Sequence, residues 1–133
     1  MAKTATLKAK NILGKDFTIM DSMTNIKKIN AGIKEIYKRI DAIDSKEDNP
    51  LFADYNAAIT DEVVKQVANL LDLTKEDAKK LEKMSYNDLF TFYSTAVNSF
   101  TGMVAPSVRQ MRENQEKALQ ALDNTDPKSN SEN

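Results

Sequence analysis

The apolar positions of the chain fall into one regular stripe: Ile26, Ile29, Ile33, Ile36, Ile40 and Ile43 follow one another at alternating steps of three and four. That is the spacing of one helix face, and it predicts a long helix over residues 22–44, roughly 30 Å in length. Asp21, Ser22 and Thr24 supply the residue types that open a helix. Gly32 is the weak position inside it. It costs about 1 kcal/mol relative to alanine and leaves room for another backbone to approach.

A stripe of this kind belongs either to a coiled-coil seam shared between chains or to the central helix of a bundle, because both pack knobs into holes at about 20°. Isoleucine at both seam positions would favour three or more strands. The flanking Lys27, Lys34, Lys38 and Arg39 lack the alternation of Glu and Lys that sets partner choice in a zipper. The stripe is therefore read first as a core within one chain, without excluding a seam between chains. Self-association, if any, is assigned to an outer face around Gly32 or to a sparse helix at Val108–Leu122.

Further elements follow from the same patterning. Residues 1–20 read as a short extended or β segment with a turn signal at Leu13-Gly14-Lys15-Asp16, and Phe17 and Ile19 alternate with Thr18 and Met20. Residues 45–50, SKEDNP, read as a polar connection. Leu51 to Ile59 has helical spacing but is short, so Thr60 is expected to cap a new helix with Asp61 and Glu62 in its first turn and Val63, Val64, Val67, Leu70 and Leu71 on its apolar face. Thr74 to Asp77 and Ser85 to Asp88 resemble capping boxes eleven residues apart, which confines the helix between them to about two turns. The helix that follows carries Leu89, Phe90, Tyr93, Ala96, Val97, Phe100 and Val104. Pro106 marks a kink or the first turn of a new helix. Beyond it Val108, Met111, Leu119 and Leu122 are sparse apolar positions on a helix expected to be exposed or to meet a partner. The polar stretch 123–133 is expected to be disordered. The expected fold is mainly α: a compact bundle of about four to five helices in a single domain over residues 1–122, with a short β-hairpin or extended N-terminus.

Composition narrows the chemistry. There is no cysteine and no histidine among 133 residues, which removes thiol nucleophiles, Ser-His and Cys-His pairs and all but oxygen-only metal sites. Three glycines cannot write a Rossmann fingerprint or a P-loop. Asp61-Glu62 and Glu76-Asp77 are adjacent pairs at expected helix starts, and they read as caps rather than as an acid/base couple. Asp41, Asp44, Glu47 and Asp48 lack the glycine and terminal glutamate of an EF-hand loop. No catalytic residue, cofactor, metal or small-molecule substrate is expected, and the protein is read as not an enzyme. The net charge of −1 conceals a basic front: residues 1–40 hold nine Lys/Arg against three Asp/Glu, and residues 41–133 hold ten against seventeen. The lysines are scattered and carry no nucleic-acid motif, so nucleic acid is not the expected partner. No apolar run approaches the roughly 20 residues a membrane span needs, and MAKTATLKAK lacks the apolar core of a secretory signal. The expected location is cytoplasmic. Met20, Met23, Met84, Met103 and Met111 accompany helix ends and suit either core gaps or an adaptable surface.

Taken together, GKDFTIMDS, the helix MTNIKKINAGIKEIYKRI, the segment SYNDLFTFYSTAV and the polar tail resemble the tail assembly chaperones of long-tailed bacteriophages infecting Gram-positive bacteria. The resemblance implies a small helical protein that coats the tape measure protein and keeps it soluble while tail tube subunits assemble, in the cytoplasm of the host cell. A homo-oligomer is a candidate state beside the tape measure protein as partner. Alternatives from other classes are a bacteriocin immunity-type bundle and a small DNA-binding phage regulator.

Overall fold

The computed structural model describes residues 2–46 and 49–107, together with Arg109, Glu113, Glu116, Lys117 and Gln120. Strand β1 (Thr4–Leu7) pairs antiparallel with β2 (Phe17–Met20), setting Thr4 opposite Met20 and Leu7 opposite Phe17. Between them lies α1 (Lys10–Leu13), a single turn. The Asp16 carboxylate accepts from the backbone N–H groups of Ala9 and Lys10 at 3.0 and 3.2 Å, closing the open donors of that turn. Gly14 ends it at φ +84°, a conformation that costs a residue with a Cβ. The expected hairpin is present, and its turn signal is where the chain reverses.

Helix α2 (Met23–Lys46) carries the isoleucine stripe, and α3 (Phe52–Leu70) returns beside it. Their direction is fixed at both ends: Lys28 Nζ reaches the Asn69 carbonyl and Asp72, each at 3.0 Å, while Arg39 meets Asp61 and the Tyr55 hydroxyl donates to Asp44. The two helices are therefore antiparallel. Helix α4 (Lys75–Lys80) and a 3-10 turn (Leu81–Lys83) lead to α5 (Tyr86–Thr101). Thr74 and Ser85 act as N-caps, their side chains accepting from Asp77 and Asp88 N–H, and the helix between the two caps is as short as their spacing requires. Residues of α3 from Ala57 to Val64 share a surface groove with Tyr86 and Leu89, which sets the start of α5 against that part of α3. A second groove is lined by Thr6 and Lys8 on one side and by Asn87, Thr91 and Thr95 on the other, and a neighbouring one sets Lys8 to Ile12 beside Met84, Ser85 and Asp88, so β1 ends near the start of α5.

The core closes inside one chain. Ile29, Ile33, Ile36 and Ile40 are buried against a shared cluster with Ile59, Val63 and Val67 of α3 and Leu89, Phe92, Tyr93, Ala96 and Val97 of α5, with Leu81 at 0% exposure beneath the 3-10 turn. Ala5 and Leu7 bring the hairpin onto the same cluster. A two-stranded hairpin is marginal alone, and this packing supplies its apolar cover. Ile26 and Ile43, at the two ends of the stripe, are half-buried.

Four expectations need correction. Helix α3 does not begin at Thr60: it runs through, and Thr60 Oγ1 donates back to the Asn56 and Ala57 carbonyls at 2.8 and 3.2 Å. The start is instead at Leu51, whose N–H donates to Asp54 Oδ2 at 3.1 Å, so Asp61 and Glu62 sit in mid-helix rather than in a first turn. Gly32 is not on an outer face. It is buried, and a Cβ built there would lie 2.4 Å from Gln66 Oε1 of α3. Val104 does not extend the apolar face of α5, because Gly102 ends that helix at φ +76° and leaves Val104 68% exposed, while Ala105 and Pro106 turn back into the core. Arg109, Glu113, Glu116, Lys117 and Gln120 are helical and exposed. Val108, Met111, Leu119 and Leu122, and the tail from Asp123 onward, lie outside the described residues.

Candidate functional site

A dense polar cluster lies where α2 packs against the middle of α3. Arg39 Nη1 sits 2.6 Å from Asp61 Oδ2 and 3.6 Å from Glu62 Oε1, and Lys65 Nζ approaches the same carboxylates at 3.4 and 4.0 Å. Glu62 is the one buried charged residue among those described, and Gln66 Nε2 donates to its other oxygen at 3.2 Å. The hydrogen bond from Arg39 holds the Asp61 carboxyl below its ordinary value. Two cations, a carboxylate and an amide thus surround Glu62, and they account for its charge without a substrate.

Two phenol hydroxyls are also buried. Neither the Tyr86 nor the Tyr93 hydroxyl has a hydrogen-bond partner. Burial raises the Tyr86 hydroxyl to about 12, and burial together with the charge of Glu62 raises that of Tyr93 further. Such groups stay protonated and are poor bases at neutral pH. Tyr86 stacks on Phe90 with ring centroids 5.9 Å apart, which places it as a wall of the α3–α5 groove. Among the described residues, no three acidic side chains are grouped closely enough to hold a metal ion, and no helix is long and apolar enough to cross a membrane.

The surface is more informative than the cavities. Met20 and Met23, at the β2–α2 junction, are 50% and 67% exposed. Met20 pairs with Thr4 of β1, and Met23 opens α2 beside the end of α3. Val104, also exposed, follows the end of α5. Leu51 and Tyr37, also exposed, lie at the start of α3 and on the outer side of α2.

Of the predicted seam, Ile29, Ile33, Ile36 and Ile40 are brought together in the core and Ile43 packs against it, and the predicted partner face at Gly32 is closed. Met20 and Met23 are legible as methionines flanking a helix start, whereas the exposure of Val104 depends on where α5 ends. The sequence did not link Arg39 to Glu62, because that pairing depends on the antiparallel return of α3. The chain matches no protein-family model, no curated protein and no solved structure.

Proposed function

We propose that this chain is a non-enzymatic tail assembly chaperone of a long-tailed phage, binding the tape measure protein and keeping it soluble during tail morphogenesis. The reading starts from the resemblance carried by GKDFTIMDS, MTNIKKINAGIKEIYKRI and SYNDLFTFYSTAV. The observation that supports it is the separation of core from surface. Ile29, Ile33, Ile36 and Ile40 of the stripe are consumed within the chain, while Met20, Met23 and Val104 remain exposed. A chaperone must fold without its client and still offer adaptable apolar contacts, and unbranched thioethers suit contact with varied helical segments. The charged cluster on Glu62 is satisfied internally and demands no chemistry.

The test is co-expression of the tagged chain with the tape measure protein encoded by the same genome. The expected result is a soluble tape measure protein retained on the tagged chain, with retention lowered in the Met20→Lys, Met23→Lys double variant while its thermal midpoint stays at the parent value. A tape measure protein that pellets equally with and without the chain would overturn the reading.

A further inference from the structure

The hairpin has two outer edges, and they differ. Asp21 N–H donates to the Lys3 carbonyl at 3.0 Å, which makes Lys3–Asp21 a bonded pair of the ladder. Alternation then makes Ala5–Ile19 and Leu7–Phe17 bonded pairs, and Thr4–Met20 and Thr6–Thr18 non-bonded ones. The 2.8 Å contact between the Thr6 and Thr18 hydroxyls fits the closer approach of a non-bonded pair. The backbone N–H and C=O groups of Thr4 and Thr6 therefore point away from β2, and among the described residues nothing meets them. On the opposite edge the outward Met20 carbonyl is already taken by Asn25 Nδ2 at 2.9 Å.

The open edge lacks the usual guards, since Thr4–Leu7 contains no proline, no bulge and no charge. Beside it runs a groove of about 410 Å³ between β1 and the polar side of α5, lined by Thr6, Lys8, Thr91 and Thr95 above the buried Leu7 and Phe92.

We propose that a second copy of this chain pairs here. The two β1 strands join antiparallel about a two-fold axis at Thr6, forming a continuous four-stranded sheet. The self-complementarity of the strand selects this occupant. Outward backbone groups fall at Thr4, at Thr6 and, continuing the alternation, at Lys8; an axis at Thr6 bonds Thr6 to its own copy and Thr4 to Lys8 of the other chain. Each Lys8 then faces a threonine rather than a lysine. Ala5 opposes Leu7 on the face that lies over α5, small against large. The same axis brings the two α5 helices side by side through Asn87, Thr91 and Thr95, which are exposed, uncharged and spaced by four. The short threonine side chains permit close approach. This inference does not depend on the chaperone reading, because it rests on the edge and not on a client.

The test is the mass of the full chain by sedimentation equilibrium from about 1 μM to about 1 mM. A reversible dimer is expected. Thr91→Glu places two carboxylates across the axis on an exposed helix position, so the dimer should weaken at least about tenfold with the dilute thermal midpoint unchanged. An equimolar mixture of Thr91→Glu and Thr91→Lys should restore it, which a folding defect in either variant would not allow. Thr6→Pro, removing the outward N–H without touching the β1–β2 ladder, should also give a monomer. A parent chain that stays monomeric at the highest concentration would overturn the proposal. So would a dimer that survives Thr91→Glu, or a mixture that fails to reassociate.

Discussion

Replacing Ile36 by alanine tests most directly whether the stripe is a core within one chain. The side chain is 1% exposed, so the three carbons removed all come out of a packed interior. At about 0.8 kcal/mol per buried methylene the transfer loss is about 2.4 kcal/mol, and the residual cavity raises the expected cost to about 3–4 kcal/mol, within the usual range for such truncations. Ile33, at 8% exposure, should fall lower in that range, and Ile43, half-buried at the end of the stripe, lower still. Urea unfolding followed by circular dichroism reads these costs. With a slope of about 1.5 kcal/mol per molar, Ile36→Ala should move the midpoint by about 2 M. The difference between variant and parent should be the same at two protein concentrations tenfold apart, because association through another face shifts both equally. A gap that widens on dilution would show that Ile36 belongs to an interface. A cost for Ile43→Ala equal to that for Ile36→Ala would show that the burial gradient along α2 is wrong.

Four further outcomes follow from the polar and close-packed sites. Tyr93→Phe should be neutral or stabilise by up to about 1 kcal/mol at neutral pH, since its buried hydroxyl has no partner to lose; destabilisation beyond that in thermal melts would reveal a bond. Because folding raises the Tyr86 hydroxyl to about 12, its contribution is present below the ordinary value of 10.0 and is lost as pH rises through the folded value, so Tyr86→Phe should flatten the alkaline fall in stability, and an unchanged alkaline profile would refute the assignment. Arg39→Met should cost about 1–3 kcal/mol and more than Lys65→Met, because it strips the nearest cation from buried Glu62; in acid, Asp61 should then lose its depressed value, and with it the stability that is present above 3.8 and disappears as pH falls through the folded value. Gly32→Ala should gain about 1 kcal/mol in a Gln66→Ala background and less, or nothing, in the parent, because the new methyl displaces Gln66 from Glu62; equal effects in both backgrounds, measured as a double-mutant cycle, would place Gly32 elsewhere.

Local patterning carried most of the architecture. The period of the isoleucines decided α2, the two capping sequences decided the starts of α4 and α5, and the Leu13–Asp16 signal decided the reversal of the hairpin. These are interactions between residues a few positions apart, so their signature is written in adjacent sequence. The error at Thr60 has the same origin. A threonine followed by two acids is a local N-terminus signal, and it was overridden because Tyr55, Ala58 and Ile59 bury themselves against the rest of the bundle and extend α3 backward. Phe92 was passed over beside Tyr93, yet the hairpin lying on α5 makes it core. Whether Gly32 faces outward, whether Glu62 is buried among cations, and which strand edge stays open all depend on elements far apart in the chain meeting at defined angles. No residue signals such meetings alone. Helix periodicity states that a face must be covered; only packing decides what covers it, and so decides which apolar side chains, here Met20, Met23 and Val104, remain outside.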